Sequence, residues 1–278
     1  MHNLLSLILE LQPTSQSPVK IKPWYGRASQ AICLRAVRDA FSKKLSISMH
    51  MPNQLRAYTA SSLFSDAPLN GKVYAENRYF LRYTALNEIT ASALLKATQP
   101  NQLLCTGSIL DLAGLLMQIQ GVYLNDRQHP LAGMSSYEVI WDNTLKRAGN
   151  LPGQITLMFN APTFFKSTLT GKLTPFPTPS LVFGSLFERW KVYTKLEVPD
   201  AFTTYAFDAI HHIEDDLQLI SINDGKFDRS GAVGSVTYES TNPGSPYWLF
   251  AHILARFAMF AGVGKATARG FGQCQMLE

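Results

Sequence analysis

Three observations predict an α+β chain of two tandem ferredoxin-like domains. Strand-like and helix-like segments run β-α-β-β-α-β over the first half. The second half begins a similar order. The 278 residues exceed one small module and suit two domains of roughly 100–150 residues each. The join is placed at residue 127, giving an N-terminal domain over 1–127 and a C-terminal domain over 128–278. Apolar residues at 46% against 16% charged provide a core and exclude a disordered chain. Eighteen Gly and fifteen Pro exclude a collagen-like or linker-like one.

Residues 3–11 alternate enough for a first strand. Residues 12–25, with two prolines, read as a loop. Ala31, Leu34, Val37 and Ala40-Phe41 predict a helix over 28–41. Leu45–Met49 is ambiguous and is closed by Pro52. Strands are predicted over 55–63 and 78–85, then a helix to about Lys96 capped by Asn87. Another strand follows near 115–124. The second half predicts helices over 136–147, 179–193 and 246–261. Its strands fall at 154–160, 203–207, 217–223, 233–238 and 271–277, with Asp224-Gly225 turning a hairpin.

Charge is concentrated. Lys20, Lys22, Arg27, Arg35, Arg38, Lys43, Lys44 and Arg56 face only Glu10 and Asp39 in the first 60 residues, a net +6 that exceeds the whole chain's +5. Such a field attracts phosphate backbones; a solvated helix face is the alternative. Cys33, Cys105 and Cys274 form no CxxC pair, and their odd number suits a reducing compartment. The opening MHNLLSLILEL lacks a basic n-region and is interrupted by Glu10, so it reads as a strand. With no long uncharged apolar run, a soluble cytoplasmic protein with no membrane association is expected.

Among motifs, GVGKATARGFG (262–272) places Gly262, Gly264, Gly270 and Gly272 around Lys265 and Arg269. Glycines let backbone N–H groups converge on an anion, and the two cations add charge. A packed turn between helix and strand is the competing account. Ala266 after Lys265 excludes a P-loop, and Thr267 excludes a dinucleotide fingerprint, so no nucleotide cofactor is expected. His50, ahead of Pro52 and six residues before Arg56, is either a structural histidine or a proton carrier near neutral pH. His211-His212 with Glu214, Asp215 and Asp216 offers metal-ligand types. Adjacent strand residues point to opposite faces, however, and no HExxH supports the cluster, so no metal is expected.

The glycine segment resembles the signature of the RAMP-superfamily CRISPR endoribonucleases, which cut precursor guide RNA within each repeat. Trp24-Tyr25-Gly26, His50, Tyr58-Thr59-Ala60-Ser61-Ser62-Leu63 and Arg78-Tyr79-Phe80-Leu81-Arg82 look like that family's N-terminal half. The runs 160–166, 175–179 and 182–186, with Gly231-Ala232-Val233-Gly234, look like its C-terminal RAMP half. The resemblance spans nearly the whole chain.

It implies metal-independent cleavage of CRISPR repeat RNA in pre-crRNA. The ribose 2′-hydroxyl attacks phosphorus, leaving a 2′,3′-cyclic phosphate and a 5′-hydroxyl. By resemblance His50 is the general base or acid. Arg56 matches a lysine of some members and would stabilise charge; it cannot readily act as an acid. Arg35 stands where some members carry a tyrosine, so Tyr25 or Lys43 are alternatives for that third role. Lys43, Lys265, Arg269 and the four glycines are expected to hold RNA beside the domain cleft. Tyr58 and Tyr79 either stack bases or belong to the core. Subunits of a CRISPR interference complex are further candidate partners, and a monomer or homodimer both fit. A non-cleaving RAMP RNA-binding subunit of an effector complex is the rival reading; an RNA-binding protein outside CRISPR systems is a third.

Overall fold

The computed structural model describes residues 3–51, 54–167, 170–196, 198–224 and 226–277. Pro52 and Gly225, expected at turns, lie outside these. The chain forms two compact units. The first comprises Met1–Met134, Ile222–Arg229 and Ala268–Gly270; the second comprises Ser135–Ser221, Ser230–Thr267 and Phe271–Glu278.

The first unit contains β1 (Leu4–Pro13), α1 (Gly26–Ala40), α2 (Lys43–His50), β2 (Tyr58–Ala60), β3 (Tyr79–Ala85), α3 (Glu88–Ala97), β4 (Ile109–Leu112) and β5 (Leu115–Tyr123). These strands lie in the antiparallel order β2-β3-β1-β5-β4. That is the ferredoxin-like order with one added edge strand. Leu7 faces Tyr83 and Leu9 faces Leu81 across β1 and β3. Leu5, Leu7, Leu9 and Leu11 point into the core shared with α1 and α3. Each fully buried leucine contributes about 1.5–3 kcal/mol. The intervening Ile8 packs with Phe80 and Ala132 on the opposite face. Burial on both faces is why β1 is almost continuously apolar.

Helix α1 buries Ser29, Ile32, Cys33, Ala36, Val37 and Ala40. Of the expected apolar face, Val37 and Ala40 are buried and Leu34 is half-buried, whereas Ala31 is exposed and Phe41 lies 44% exposed beyond the helix end. The ambiguous segment 45–49 is helical. Ser42 caps α2 by accepting the Leu45 N–H at 3.2 Å, and only Ser46 and Met49 are buried, too few to give a clear period. Asn87 caps α3 as expected, accepting the Thr90 N–H at 2.9 Å.

The second unit contains α4 (Tyr137–Leu145), β6 (Gln154–Thr163), α5 (Pro179–Tyr193), α6 (Ala201–Asp208), β7 (Ile210–Asn223) and β8 (Asp228–Ser240) apart from their ends within Ile222–Arg229, α7 (Pro246–Ala261) and β9 (Cys274–Leu277). Its sheet runs β7-β8-β6-β9, again the ferredoxin-like order. The strand expected at 203–207 is instead part of α6. Phe202, Tyr205 and Ala206 are buried at helical spacing, with the Phe202 ring 4.9 Å from Phe250 and 5.4 Å from Phe187. Tertiary packing overrides the strand preference of Thr-Thr-Tyr.

Candidate nucleic-acid interface

In the first unit, three sequence-distant segments meet. The Trp24 indole Nε1 donates to the Arg269 carbonyl at 3.0 Å. The Gly270 N–H donates to the Ala60 carbonyl at 2.8 Å, and Ser61 bridges Gly270 in parallel. The Tyr25 N–H donates to Ser62 Oγ at 2.9 Å. The Trp24-Tyr25-Gly26 entry to α1, the end of β2 and the Arg269-Gly270 step are therefore knitted through their backbones. Tyr25 itself is buried, its hydroxyl accepting the Lys22 N–H at 3.0 Å.

This knot places Arg27, on the first turn of α1, in a basic cluster centred on Asp224. The Asp224 carboxylate is inaccessible to solvent. It accepts from Arg27 Nη2 at 3.1 and 3.2 Å, from Arg229 Nε at 3.1 Å, and from the Lys226 and Phe227 N–H groups at 3.0 Å each. Arg27 Nε also donates to the Asp224 carbonyl at 2.9 Å. Burial alone would raise the carboxyl's pKa, but these donors hold it at about 2. Arg269 has its pKa lowered by burial and by the nearby charges of Arg27, Arg229 and Arg56, with Asp224 opposing them. Arg27 and Arg229 thus share one carboxylate, whose charge Arg269 feels without a hydrogen bond, while Arg56 repels Arg269; the positive charge exceeds the negative, as at an anion site.

The expected site residues separate into groups. Arg269 feels the charges of this cluster, and Arg56 acts on Arg269. Arg56 Nη1 lies 3.4 Å from the Tyr58 hydroxyl, which also accepts from Gln30 at 2.9 Å and is pushed up to about 12 by burial. His50 is the exposed last residue of α2, and its ring makes no hydrogen bond or ion pair among the described residues. Lys43, at the other end of α2, is exposed. Arg35 pairs with Asp39 at 3.5 Å on the solvent face of α1, and among the described residues no hydrogen bond or ion pair ties it to the arginine cluster. Tyr58 and Tyr79 are fully buried, so neither offers a face to a base; both are core residues.

The glycine segment requires a correction. Its N–H groups do not converge on an open anion site, because the protein's own oxygens take them. Gly262 donates to Ala258 at 2.8 Å, Gly270 to Ala60 at 2.8 Å and Gly272 to Pro162 at 3.1 Å. The Gly264 N–H donates to Ser185 Oγ at 3.1 Å. All four glycines are buried. Gly264 sits at φ +71°, and a Cβ there would fall 2.3 Å from the Phe164 carbonyl. What this turn presents is side chains: Lys265 is exposed while its N–H donates to Phe164, and Arg269 is partly exposed. In the second unit Arg189 is buried beneath the turn. Its Nη2 donates to the Gly264 carbonyl and its Nη1 to the Ser185 carbonyl, both at 2.8 Å, and burial lowers its pKa to about 10.

Arg27, Asp224 and Arg229 were not singled out from sequence. The positions are nearly 200 residues apart, and no local pattern marks them. His212 Nε2 lies 2.8 Å from Asp215 on β7, and among the described residues no three His, Cys, Asp or Glu side chains gather as a metal-holding group. No described helix is long and apolar enough to cross a membrane.

Residues 157–274 match the family model of the CRISPR-associated endoribonuclease Cas6. The chain's whole length has the fold of solved Cas6 structures. A Cas6 product complex superposes with a TM-score of 0.78 at 22% identity, covering 100% of both chains. A Cas6 substrate mimic complex gives 0.72 at 20%, covering 100% of both. Thermus thermophilus Cas6 gives 0.72 at 20%, covering 100% of this chain and 99% of that one. No curated protein matches the sequence.

Proposed function

We propose that the chain is a metal-independent endoribonuclease that cleaves CRISPR repeat RNA in precursor transcripts to yield mature crRNAs. The observation that carries this reading is the excess of positive charge where Arg27 and Arg229 bond a single carboxylate and Arg269 feels Arg27, Arg229 and Arg56, in a chain with a Cas6 fold. The product and substrate mimic complexes of its structural relatives support a nucleic-acid ligand.

In the proposed reaction the 2′-oxygen attacks the adjacent phosphorus. The P–O2′ bond forms as the P–O5′ bond breaks. The 2′-hydroxyl loses its proton and the leaving 5′-oxygen gains one. This gives a 2′,3′-cyclic phosphate and a 5′-hydroxyl. His50 performs one of the two proton transfers, because imidazole exchanges protons near neutral pH. Arg56 stabilises charge on the phosphorane but moves no proton. In-line placement of the nucleophile supplies much of the remaining acceleration.

The test is incubation with the repeat RNA of the chain's own locus in EDTA, with chemical identification of both new ends. Cyclic phosphate and 5′-hydroxyl ends are expected. A requirement for divalent metal, or 3′-hydroxyl and 5′-phosphate ends, overturns the mechanism. Tight repeat binding with no cyclic phosphate at any protein concentration makes the chain a non-cleaving RAMP subunit of an effector complex instead.

A further inference from the structure

We infer that Arg27, Arg229 and Arg269 form an anchoring subsite for one RNA backbone phosphate, and that buried Asp224 is its positioning residue. This rests on the endoribonuclease reading and adds a binding step separate from the chemistry at His50.

The argument starts from unmatched charge. The Arg269 side chain is partly buried, makes no hydrogen bond or ion pair among the described residues, and is repelled by Arg27, Arg229 and Arg56, with Asp224 opposing them. One carboxylate offsets only part of the repulsion among these guanidiniums, so a further anion is favoured. A phosphodiester oxygen supplies both the charge and the acceptor geometry that arginine forks fit.

Asp224 cannot be that anion's substitute, because its two oxygens are already shared among four donors: Arg27, Arg229 and the N–H groups of Lys226 and Phe227. What those bonds do is fix direction. Arg27 is held by Nε and Nη2, leaving Nη1 without a partner among the described residues, and its side chain remains 38% exposed. Arg229 is held by Nε and lies 5.2 Å from the ring centre of Phe227, so its guanidinium is fixed from two sides. The Arg269 backbone, from which its side chain extends, is held by Trp24.

The subsite contains no proton carrier. Arginines do not deprotonate, and Asp224 stays ionised under its donors. It therefore grips the strand equally in the ground and transition states, which acts on affinity and not on the chemical step.

Asp224→Asn separates this account from plain electrostatics. Removing a negative charge makes the cluster more cationic, so charge alone predicts tighter RNA binding. Loss of positioning predicts weaker binding. Binding is measured with repeat RNA carrying a 2′-deoxy nucleotide at the cleavage position, across a salt series. Asp224→Asn, Arg27→Ala and Arg229→Ala should each weaken binding about tenfold, the two arginine variants lowering the salt slope by about one. In single-turnover cleavage the half-saturating protein concentration should rise correspondingly, while the rate at saturation falls less than about threefold.

Equal or tighter binding by Asp224→Asn overturns the positioning role. Unchanged affinity in both arginine variants overturns the subsite. So does a fall in saturating rate as large as the fall in affinity. Thermal melts identify any variant that has lost its fold, and Arg229→Lys then replaces Arg229→Ala: it keeps the charge, loses the fork and should still bind several-fold more weakly. If the wild type neither prefers nor cuts its repeat, yet the variants still lose affinity for RNA, the endoribonuclease reading fails and the subsite stands.

Discussion

The Trp24 indole N–H donates to the main-chain carbonyl of Arg269, 245 residues away, at 3.0 Å. The main chain at 269, from which that cation extends, is therefore held by the segment that enters α1. Trp24→Phe keeps an aromatic ring but removes the donor, leaving the Arg269 carbonyl short of a partner. We expect stability to fall by about 1 kcal/mol, with weaker RNA binding, measured by chemical denaturation and by titration with repeat RNA.

Gly26 is constrained more severely. A Cβ there would lie 1.8 Å from the Arg269 carbonyl oxygen and 2.6 Å from the Trp24 indole nitrogen. Backbone cannot yield as a flexible side chain can. Gly26→Ala should destabilise the chain by about 1–3 kcal/mol and reduce RNA affinity beyond what Trp24→Phe does. A wild-type melting curve for this variant would contradict the packing described.

His50→Ala should lower single-turnover cleavage by roughly 100-fold or more while leaving repeat binding within about twofold. Comparable losses in both measurements would remove His50 from the chemistry.

Acid stability should show two windows. His252 is fully buried on α7; its Nε2 lies 3.0 Å from the Pro152 carbonyl, and burial lowers its pKa from 6.5 to about 4. The unfolded chain takes up this proton first, so stability is lost as pH falls from about 6.5 towards 4, by roughly 3 kcal/mol. Asp224 is held at about 2 against an ordinary 3.8, so its contribution is present above that ordinary value and is lost as pH falls towards 2. Denaturation midpoints against pH should lose the upper window in His252→Gln and the lower one in Asp224→Asn. An unchanged profile in either variant refutes the corresponding assignment.

Lys265 and Arg189 should part company in experiment. Lys265→Ala should weaken RNA binding several-fold with an unchanged melting temperature, because its side chain is exposed and makes no hydrogen bond or ion pair among the described residues. Arg189→Met strips the Gly264 and Ser185 carbonyls of a buried donor and should cost about 1–3 kcal/mol of stability. Equal melting temperatures for the two variants would show that Arg189 does not brace the turn.

Much of the fold was legible because several elements carry their own boundaries. Asn87 marks the start of α3, and prolines open α5 and α7. The errors arose where local preference and packing disagree. Thr203, Thr204 and Tyr205 favour a strand in isolation but lie in a helix anchored by Phe202. Of the candidate interface, Arg56, Lys265 and Arg269 were visible as cations beside recognisable motifs. Arg27, Asp224 and Arg229 were not, since an ion pair between positions 27 and 224 leaves no spacing to read along a chain. The glycines were conspicuous for a different reason than expected: they permit close backbone approach, and their amide hydrogens are spent within the protein.

That last arrangement makes the turn a mount with interchangeable fittings. Its scaffold is closed and self-sufficient, while the side chains at 265 and 269 project from it. Substitutions at those two places leave the hydrogen-bonded backbone beneath them intact; substitutions at the glycines do not.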